Sequence, residues 1–314
     1  PFLPKHAPLL ACPSRRSAQA MEMDLFSDGL PQMRWDTMFS DSEEVTVRVG
    51  GFDIKVIHSP VTDPEVGTGS VLWGSSVFLL KFLEEKAREL IAQDEGGKHL
   101  LHSSCGGPPL AAPPKALELG SGCTALPGVA LAMAGFQVCL SDVGPVVTHV
   151  RERMEQYAAS VQGQGAEETA EAIKAISVEE FDWSDGEALE RWASSDGVDL
   201  VACADGDYAD FTQPALVAAA ASALAASTSA AAVFCSDGRS ASLDFRFEQL
   251  LRRTFEVEIM PLGDSEFCSD ARASGSRILV ARWRSVAEAR ATKESLHQRR
   301  ASKAGVVEAV TSCS

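Results

Sequence analysis

The chain is short of the features that would place it in several broad classes. No apolar run is long enough to cross a bilayer, and the alanine-rich stretch from Ala215 to Ala226 is both brief and weakly hydrophobic. That argues against a membrane-spanning role. Its eight cysteines include no Cys-x-x-Cys pair, and several sit in apolar, strand-like runs where cysteine acts as a small hydrophobe. The thiols are therefore read as reduced, and the chain as cytoplasmic. Of six histidines only His99 and His102 lie close together, in a loop-like segment, so no metal site is expected. Basic residues are scarce as well: 28 Lys and Arg against 44 Asp and Glu give a net charge of −16. Non-specific nucleic-acid affinity relies on clustered cations, so neither nucleic acid nor membrane is an expected partner. A protein or small molecule carrying positive charge suits the balance better.

What the chain does have is a globular composition, with 45% hydrophobic and 23% charged residues over 314 positions. Residues 1–40 are set apart as a lead-in. Within them Lys5, Arg15 and Arg16 precede any acid, which fits either a targeting leader or a disordered tail. Residues 41–284 form the expected domain, and residues 285–314, with Arg290, Lys293, Arg299, Arg300 and Lys303, a basic and partly helical tail. Repeats are absent, and the chain is read as a monomer.

Val45, Val47 and Val49 alternate with polar residues, Gly50-Gly51 turns, and Phe52, Ile54 and Val56 alternate again, which predicts a β-hairpin. Val71 to Leu90 has a helical period, and Asp94 to Pro114 reads as an inserted loop. Strands are then predicted at 115–119, 136–141, 173–178, 198–204, 230–236, 255–260 and 277–283. Helices are predicted at 125–134, 145–160, 185–194, 212–226 and 240–254. This alternation predicts an α/β fold, a doubly wound seven-stranded Rossmann-like sheet whose last two strands pair antiparallel. A ligand then belongs at the carboxyl ends of the strands.

The stretch Ala116-Leu-Glu-Leu-Gly-Ser-Gly-Cys-Thr124 runs an apolar strand into a glycine turn. Gly120 and Gly122 permit positive φ and, with Ser121, let backbone amides approach a ligand. The loop also satisfies the dinucleotide pattern, with Asp142 near the spacing of a ribose-binding acid. Glu118 favours another ligand, since a buried carboxylate would repel a pyrophosphate yet suits the ammonium and sulfonium of S-adenosyl-L-methionine. The alternative is an ion pair between Glu118 and a neighbouring cation. Asp142, closing its strand, can accept from both ribose hydroxyls or cap the next helix. Asp182-Trp183 follows the third strand, where the indole covers an adenine or fills the core. Asp205-Gly206-Asp207-Tyr208 follows Ala204 at the end of the fourth, and packing explains two acids and a tyrosine poorly there.

Together these residues resemble the seven-β-strand protein-lysine methyltransferases of family 16, the methyltransferase-like 21 group. The shared pattern is a β-hairpin, a Trp-led helix (Trp73-Gly74), the loop Leu117 to Gly122, Asp142, Asp182-Trp183 and a D-x-x-Y motif at Asp205 to Tyr208. The resemblance spans residues 45–283. It implies that Gly120, Ser121, Gly122 and Ala204 line the cofactor, Glu118 faces its methionine end, Asp142 holds the ribose and Trp183 flanks the adenine. Trp73 would close the site or dock its helix. Asp205 and Tyr208 would be the catalytic residues facing an accessible lysine of a protein substrate. Two departures stand out: His149-Val150-Arg151 where the family commonly has asparagines, and Gly206-Asp207 where it has an apolar pair. The second is expected to add charge and flexibility at the acceptor site. A small-molecule methyltransferase, a non-catalytic cofactor-binding scaffold and, on the glycine loop alone, an NAD-dependent dehydrogenase are the competing readings.

Overall fold

The computed structural model describes residues 44–59, 66–91, 112–261 apart from 228, 237 and 239, and 275–295 apart from 286, 290 and 293. The expectations for residues 1–40, for His99 and His102 and for most of the inserted loop fall outside these residues.

Strands β1 (Glu44–Val49) and β2 (Phe52–Ile57) pair antiparallel with Val49 opposite Phe52. Gly50 and Gly51, at φ 58° and 88°, supply the two positive angles that a two-residue hairpin turn of matching twist needs. The valines of β1 and Ile54 and Val56 of β2 are buried, so alternation turns one face of the hairpin inward. Helix α1 (Gly74–Ile91) follows, beginning just after Trp73.

The main sheet has seven strands in the order β5-β4-β3-β6-β7-β9-β8. They are β3 (Lys115–Leu119), β4 (Gln137–Asp142), β5 (Ser177–Glu180), β6 (Leu200–Ala204), β7 (Ala231–Ser236), β8 (Glu256–Met260) and β9 (Arg277–Arg282). The first five run parallel, while β9 pairs antiparallel with both β7 and β8. The helices between them are α2 (Leu126–Met133), α3 (Gly144–Gly163), α4 (Glu167–Lys174), α5 (Gly186–Ser194), α6 (Gln213–Leu224) and α7 (Ala241–Thr254).

Period-two alternation sorts each strand onto two cores. Ala116, Val138, Leu200, Ala202, Val233 and Val280 pack with α1, α2, α3, α4 and the hairpin. Leu117, Leu119, Val201, Phe234 and Leu279 pack with residues of α5, α6 and α7 on the other face. The chain winds outward from β3 to β5, then returns to β6 on the other side of β3. The switch point therefore lies between the carboxyl ends of β3 and β6.

Two elements depart from the sequence reading. The predicted strand 173–178 is split: Ile173 and Lys174 finish helix α4, and the strand begins at Ser177. Ala170 and Ile173 are buried, so the apolar residues here report a helical face rather than a strand. Helix α3 also outruns its predicted end at Ser160, reaching Gly163 before Gly165 turns the chain at φ 82°. In the tail, residues 287–289, 291–292 and 294–295 are helical. No helix of the described residues is long and apolar enough to cross a membrane.

Candidate active site

At the switch point lies a cavity of about 410 Å³. Its floor is the turn after β3. Gly120 and Gly122 have φ of 66° and 56°, and both also need the absence of a side chain. A Cβ at 120 would come within 2.9 Å of the Trp183 ring, and one at 122 within 3.1 Å of the Gly69 carbonyl oxygen. The turn is tied down on both sides. Ser121 N donates to Ser141 O at 3.0 Å, and Cys123 N donates to Gly69 O at 2.7 Å.

Asp142 ends β4 beside this turn. One carboxylate oxygen accepts from Gly122 N and the other from Val143 N, each at 2.8 Å. Burial pushes its carboxyl above the ordinary range, against the pull of these two amides. Helix α3 starts from Val143 with no side-chain cap, so Asp142 does not cap it; the carboxylate holds the glycine turn instead. Trp183, after β5, leans over Gly120. Asp182 beside it accepts from the amide and hydroxyl of Ser184 at 2.8 and 2.7 Å, which holds its carboxyl below the usual range.

Across the cavity, β6 ends at Ala204 and the chain bends through Asp205 in the left-handed region, φ 57°. Asp205 N donates to Cys235 O at 2.8 Å, and the residue is only 8% exposed. Tyr208, 48% exposed, forms the outer wall. Trp73 closes the side facing α1, donating from Nε1 to Thr68 O at 3.2 Å.

Gly206 and Asp207 do not behave as an added charge on a flexible loop. A Cβ at 206 would meet Cys203 Sγ at 2.6 Å, Leu216 at 3.0 Å and Trp183 at 3.1 Å, so this glycine lets three side chains close in. Asp207 is turned into the protein, where it accepts from Ser236 Oγ at 2.6 Å. Burial pushes its carboxyl up from the ordinary range. Thr212 Oγ1 donates to the carbonyls of Gly206 and Ala209, and Gln213 Nε2 to those of Asp207 and Leu243. The segment from 205 to 212 is thereby braced against β7, α6 and α7.

Glu118 does not line the cavity. Strand alternation sends it to the same face as Ala116, beneath α2, where Gly128 N donates to its Oε2 at 2.7 Å. Gly128 is the third residue of α2, so the carboxyl satisfies one of the amides a helix leaves open at its start. Desolvation raises its pKa to about 8. Glu118 is thus absent from the cavity lining where the cofactor's methionine end was expected to meet it, and among the described residues no cation pairs with it.

The sequence reading also passed over the segment 66–71. Gly67, Thr68 and Gly69 form a wall of the cavity through a short 3-10 turn, Thr68–Ser70. The glycines at 67 and 69, just ahead of Trp73, were the available signal.

The family model for lysine methyltransferases matches residues 60–253, more than half of the chain. The chain belongs to that family. No curated protein matches it. Among solved structures, this lysine methyltransferase family member is similar to an O-methyltransferase family protein from Burkholderia thailandensis, 9% identical, with TM-score 0.40. That match covers 68% of this chain and 59% of the other, so the chain spans less than two thirds of that protein's length. An O-methyltransferase from Bacillus cereus is 12% identical over 69% of this chain and 84% of its own, TM-score 0.40. The ribosomal protein L11 methylase from Lactobacillus delbrueckii subsp. bulgaricus is 17% identical over 56% and 72%, TM-score 0.37. The assignment rests on the family match alone.

Charge completes the description of the family member's cavity. Asp142, Asp182 and Asp205 line it, and among the described lining residues there is no Lys, Arg or His.

Proposed function

We propose that this chain transfers the methyl group of S-adenosylmethionine to a lysine side chain of a protein. The observation that carries the reading is the cavity itself: three carboxylates and, among the described lining residues, no cation, at the switch point of a chain in the lysine methyltransferase family. A nicotinamide dinucleotide would bring a pyrophosphate to this wall of acids, and the Gly128 amide at the start of α2 is already taken by Glu118. A cofactor with an ammonium and a sulfonium, and an acceptor that is itself an ammonium, both suit it. Among the described residues, Ser121 Oγ and Trp183 Nε1 of the lining are buried without a hydrogen-bond partner and offer further bonds.

In this reading Gly120, Ser121 and Gly122 hold the cofactor through the backbone, Asp142 accepts from its ribose while fixing the glycine turn, and Trp183 covers its adenine. Ala204 and Trp73 bound the same space. S-adenosylmethionine supplies an electrophilic methyl group on sulfur. The protein's task is to bring a neutral amine in line with it, so positioning supplies much of the acceleration.

A lysine with a reference pKa near 10.4 must first lose a proton, at a cost of roughly 4 to 5 kcal/mol at pH 7. Asp205 favours the ammonium, so its part is recognition of the charged side chain rather than its deprotonation. Tyr208, half open to solvent, orients the amine by its hydroxyl or ring face while the proton leaves to water. The hydrogen bonds that brace the loop beneath these residues support the catalytic reading over a non-catalytic scaffold.

Two measurements test the reading. Calorimetric titration is expected to show binding of S-adenosylhomocysteine and none of NAD. Binding of NAD alone would return the glycine turn to the dehydrogenases. Asp205→Asn, which keeps a side chain suited to the left-handed conformation, is expected to leave cofactor affinity within about threefold. It should lower methyl transfer to lysine peptides about 10- to 100-fold, the worth of one charge-assisted bond. Unchanged transfer would remove Asp205 from the mechanism.

A further inference from the structure

Six large apolar side chains among the described residues are exposed: Ile57, Val143, Tyr208, Phe211, Phe245 and Ile259. They are not scattered evenly. Val143 and Tyr208 line the cavity. Phe211, at 77% the most exposed of all, sits between the lining residues Tyr208 and Thr212. Phe245, 63% exposed, stands in the second turn of α7 beside Arg246, and Arg246 Nη1 bonds Asp210 Oδ2 at 2.9 Å. That ion pair links the residue before Phe211 to the residue after Phe245, next to the lining residues Tyr208 and Thr212.

Neither phenylalanine is needed where it stands. The core beneath α7 is made by Phe247, which is fully buried and meets Phe234 edge to face at 5.3 Å. The loop 205–212 is braced by Thr212 and Gln213, not by Phe211. Leaving two phenylalanines in water is unfavourable for solubility, and such exposure at a site's rim marks a binding surface.

We propose that Tyr208, Phe211 and Phe245 form a docking surface for the polypeptide segment that carries the acceptor lysine. The surface takes an apolar side chain of that segment, within about three residues of the lysine. The inference rests on the lysine reading above and extends it to the substrate's sequence. Continuity decides the occupant: Tyr208 is at once a wall of the cavity and an edge of the patch, so a chain that inserts a lysine must lie across it. An extended segment advances about 3.3 Å per residue, so neighbours a few positions away reach the phenylalanines. Size agrees, because three partly exposed rings offer roughly 300 to 400 Å² of apolar surface. That is about half of what each partner buries in a stable dimer, enough for a peptide and too little for a second copy.

The test uses the full chain with labelled S-adenosylmethionine and synthetic peptides that have one central lysine in a Gly/Ser background. In successive peptides one position, from three before to three after the lysine, is changed to Leu or Phe. Apolar substitution on one side is expected to raise kcat/KM at least about fivefold, the effect of partly burying one such side chain. In the double variant Phe211→Ser/Phe245→Ser the preference should fall below about twofold, with S-adenosylhomocysteine affinity and thermal midpoint unchanged. Transfer to all peptides without preference, or a preference that survives the double variant, overturns the docking surface and leaves the lysine reading intact. No transfer to any peptide, with transfer to lysines of intact proteins, overturns the docking of a linear segment and leaves the lysine reading intact; no transfer to either despite normal cofactor binding overturns the lysine reading, and this inference with it. A concentration-dependent dimer abolished by the double variant would give the patch to a second copy instead.

Discussion

A carboxyl group that is 1% exposed, with a backbone amide as its donor, makes Glu118 a titrating element of the fold rather than of the cavity. Its folded pKa, about 8, lies above the ordinary carboxylate value because burial penalises the charge. The protonated form is therefore favoured by folding. Its stabilising contribution is complete below about pH 4.5 and is lost as pH rises towards 8, by as much as a few kcal/mol. Glu118→Gln keeps an oxygen for Gly128 and has nothing to ionise. Thermal melts of the apo protein should show the variant's advantage growing between pH 5 and pH 8. Asp142, whose charge adds to the upward push on Glu118, is present in both proteins. A constant difference across that window would mean that Glu118 does not titrate there. At this scale the sequence made residue types and spacing legible: Gly120, Gly122, Asp142, Trp183, Asp205 and Tyr208 all border one cavity. The direction in which Glu118 points was also encoded, because it shares the parity of Ala116. The reading of its charge overrode that parity.

Among the elements, the turn after β6 carries the most constraint in the fewest residues. Gly206 has no positive φ to explain it, and its role is contact: Cys203, Leu216 and Trp183 all crowd the position a Cβ would take. Gly206→Ala is expected to destabilise the protein by about 1 to 3 kcal/mol through overpacking and to weaken S-adenosylhomocysteine binding by displacing Trp183. Cys203→Ala removes the nearest obstacle, so the double variant should recover part of both losses, a coupling read from melts and titrations of the four proteins. Additive losses would show that the strain is not at the sulfur. From sequence this position was a departure from an apolar family pattern, and only the packing of α6 and the indole shows why glycine stands there. Strands β3, β4, β6 and β7 were legible because short apolar runs bounded by turns have few other solutions. The stretch 173–178 was not, since Ile173, Ile176 and Val178 satisfy both periods and α4 ends within it. The 66–71 wall was hidden for another reason: its place is set by a bond from Cys123, about fifty positions away, and no local pattern announces that.

Over the whole molecule, an acidic excess of 16 charges acts on whatever approaches a cavity already lined by carboxylates. Such a field concentrates cations near the mouth and raises the rate of encounter, without altering the chemistry that follows. Its reach is set by salt, with a Debye length of about 10 Å at 0.1 M. A lysine peptide flanked by Arg and Lys should therefore lose kcat/KM by roughly five- to tenfold between about 20 and 300 mM NaCl, while kcat stays level. A peptide with the same lysine in a Gly/Ser background should lose far less, because one charge couples to the field where several did before. The exposed Asp210–Arg246 pair limits how locally this acts: the acid nearest Phe211 is neutralised in place, so the apolar docking surface stays uncharged while the wider surface does the steering. Phe211→Ser/Phe245→Ser should accordingly change which peptide is preferred and leave the salt slope alone. Equal salt dependence for basic and neutral peptides would confine recognition to the cavity and its apolar rim, and would leave the acidic excess without a part in substrate choice.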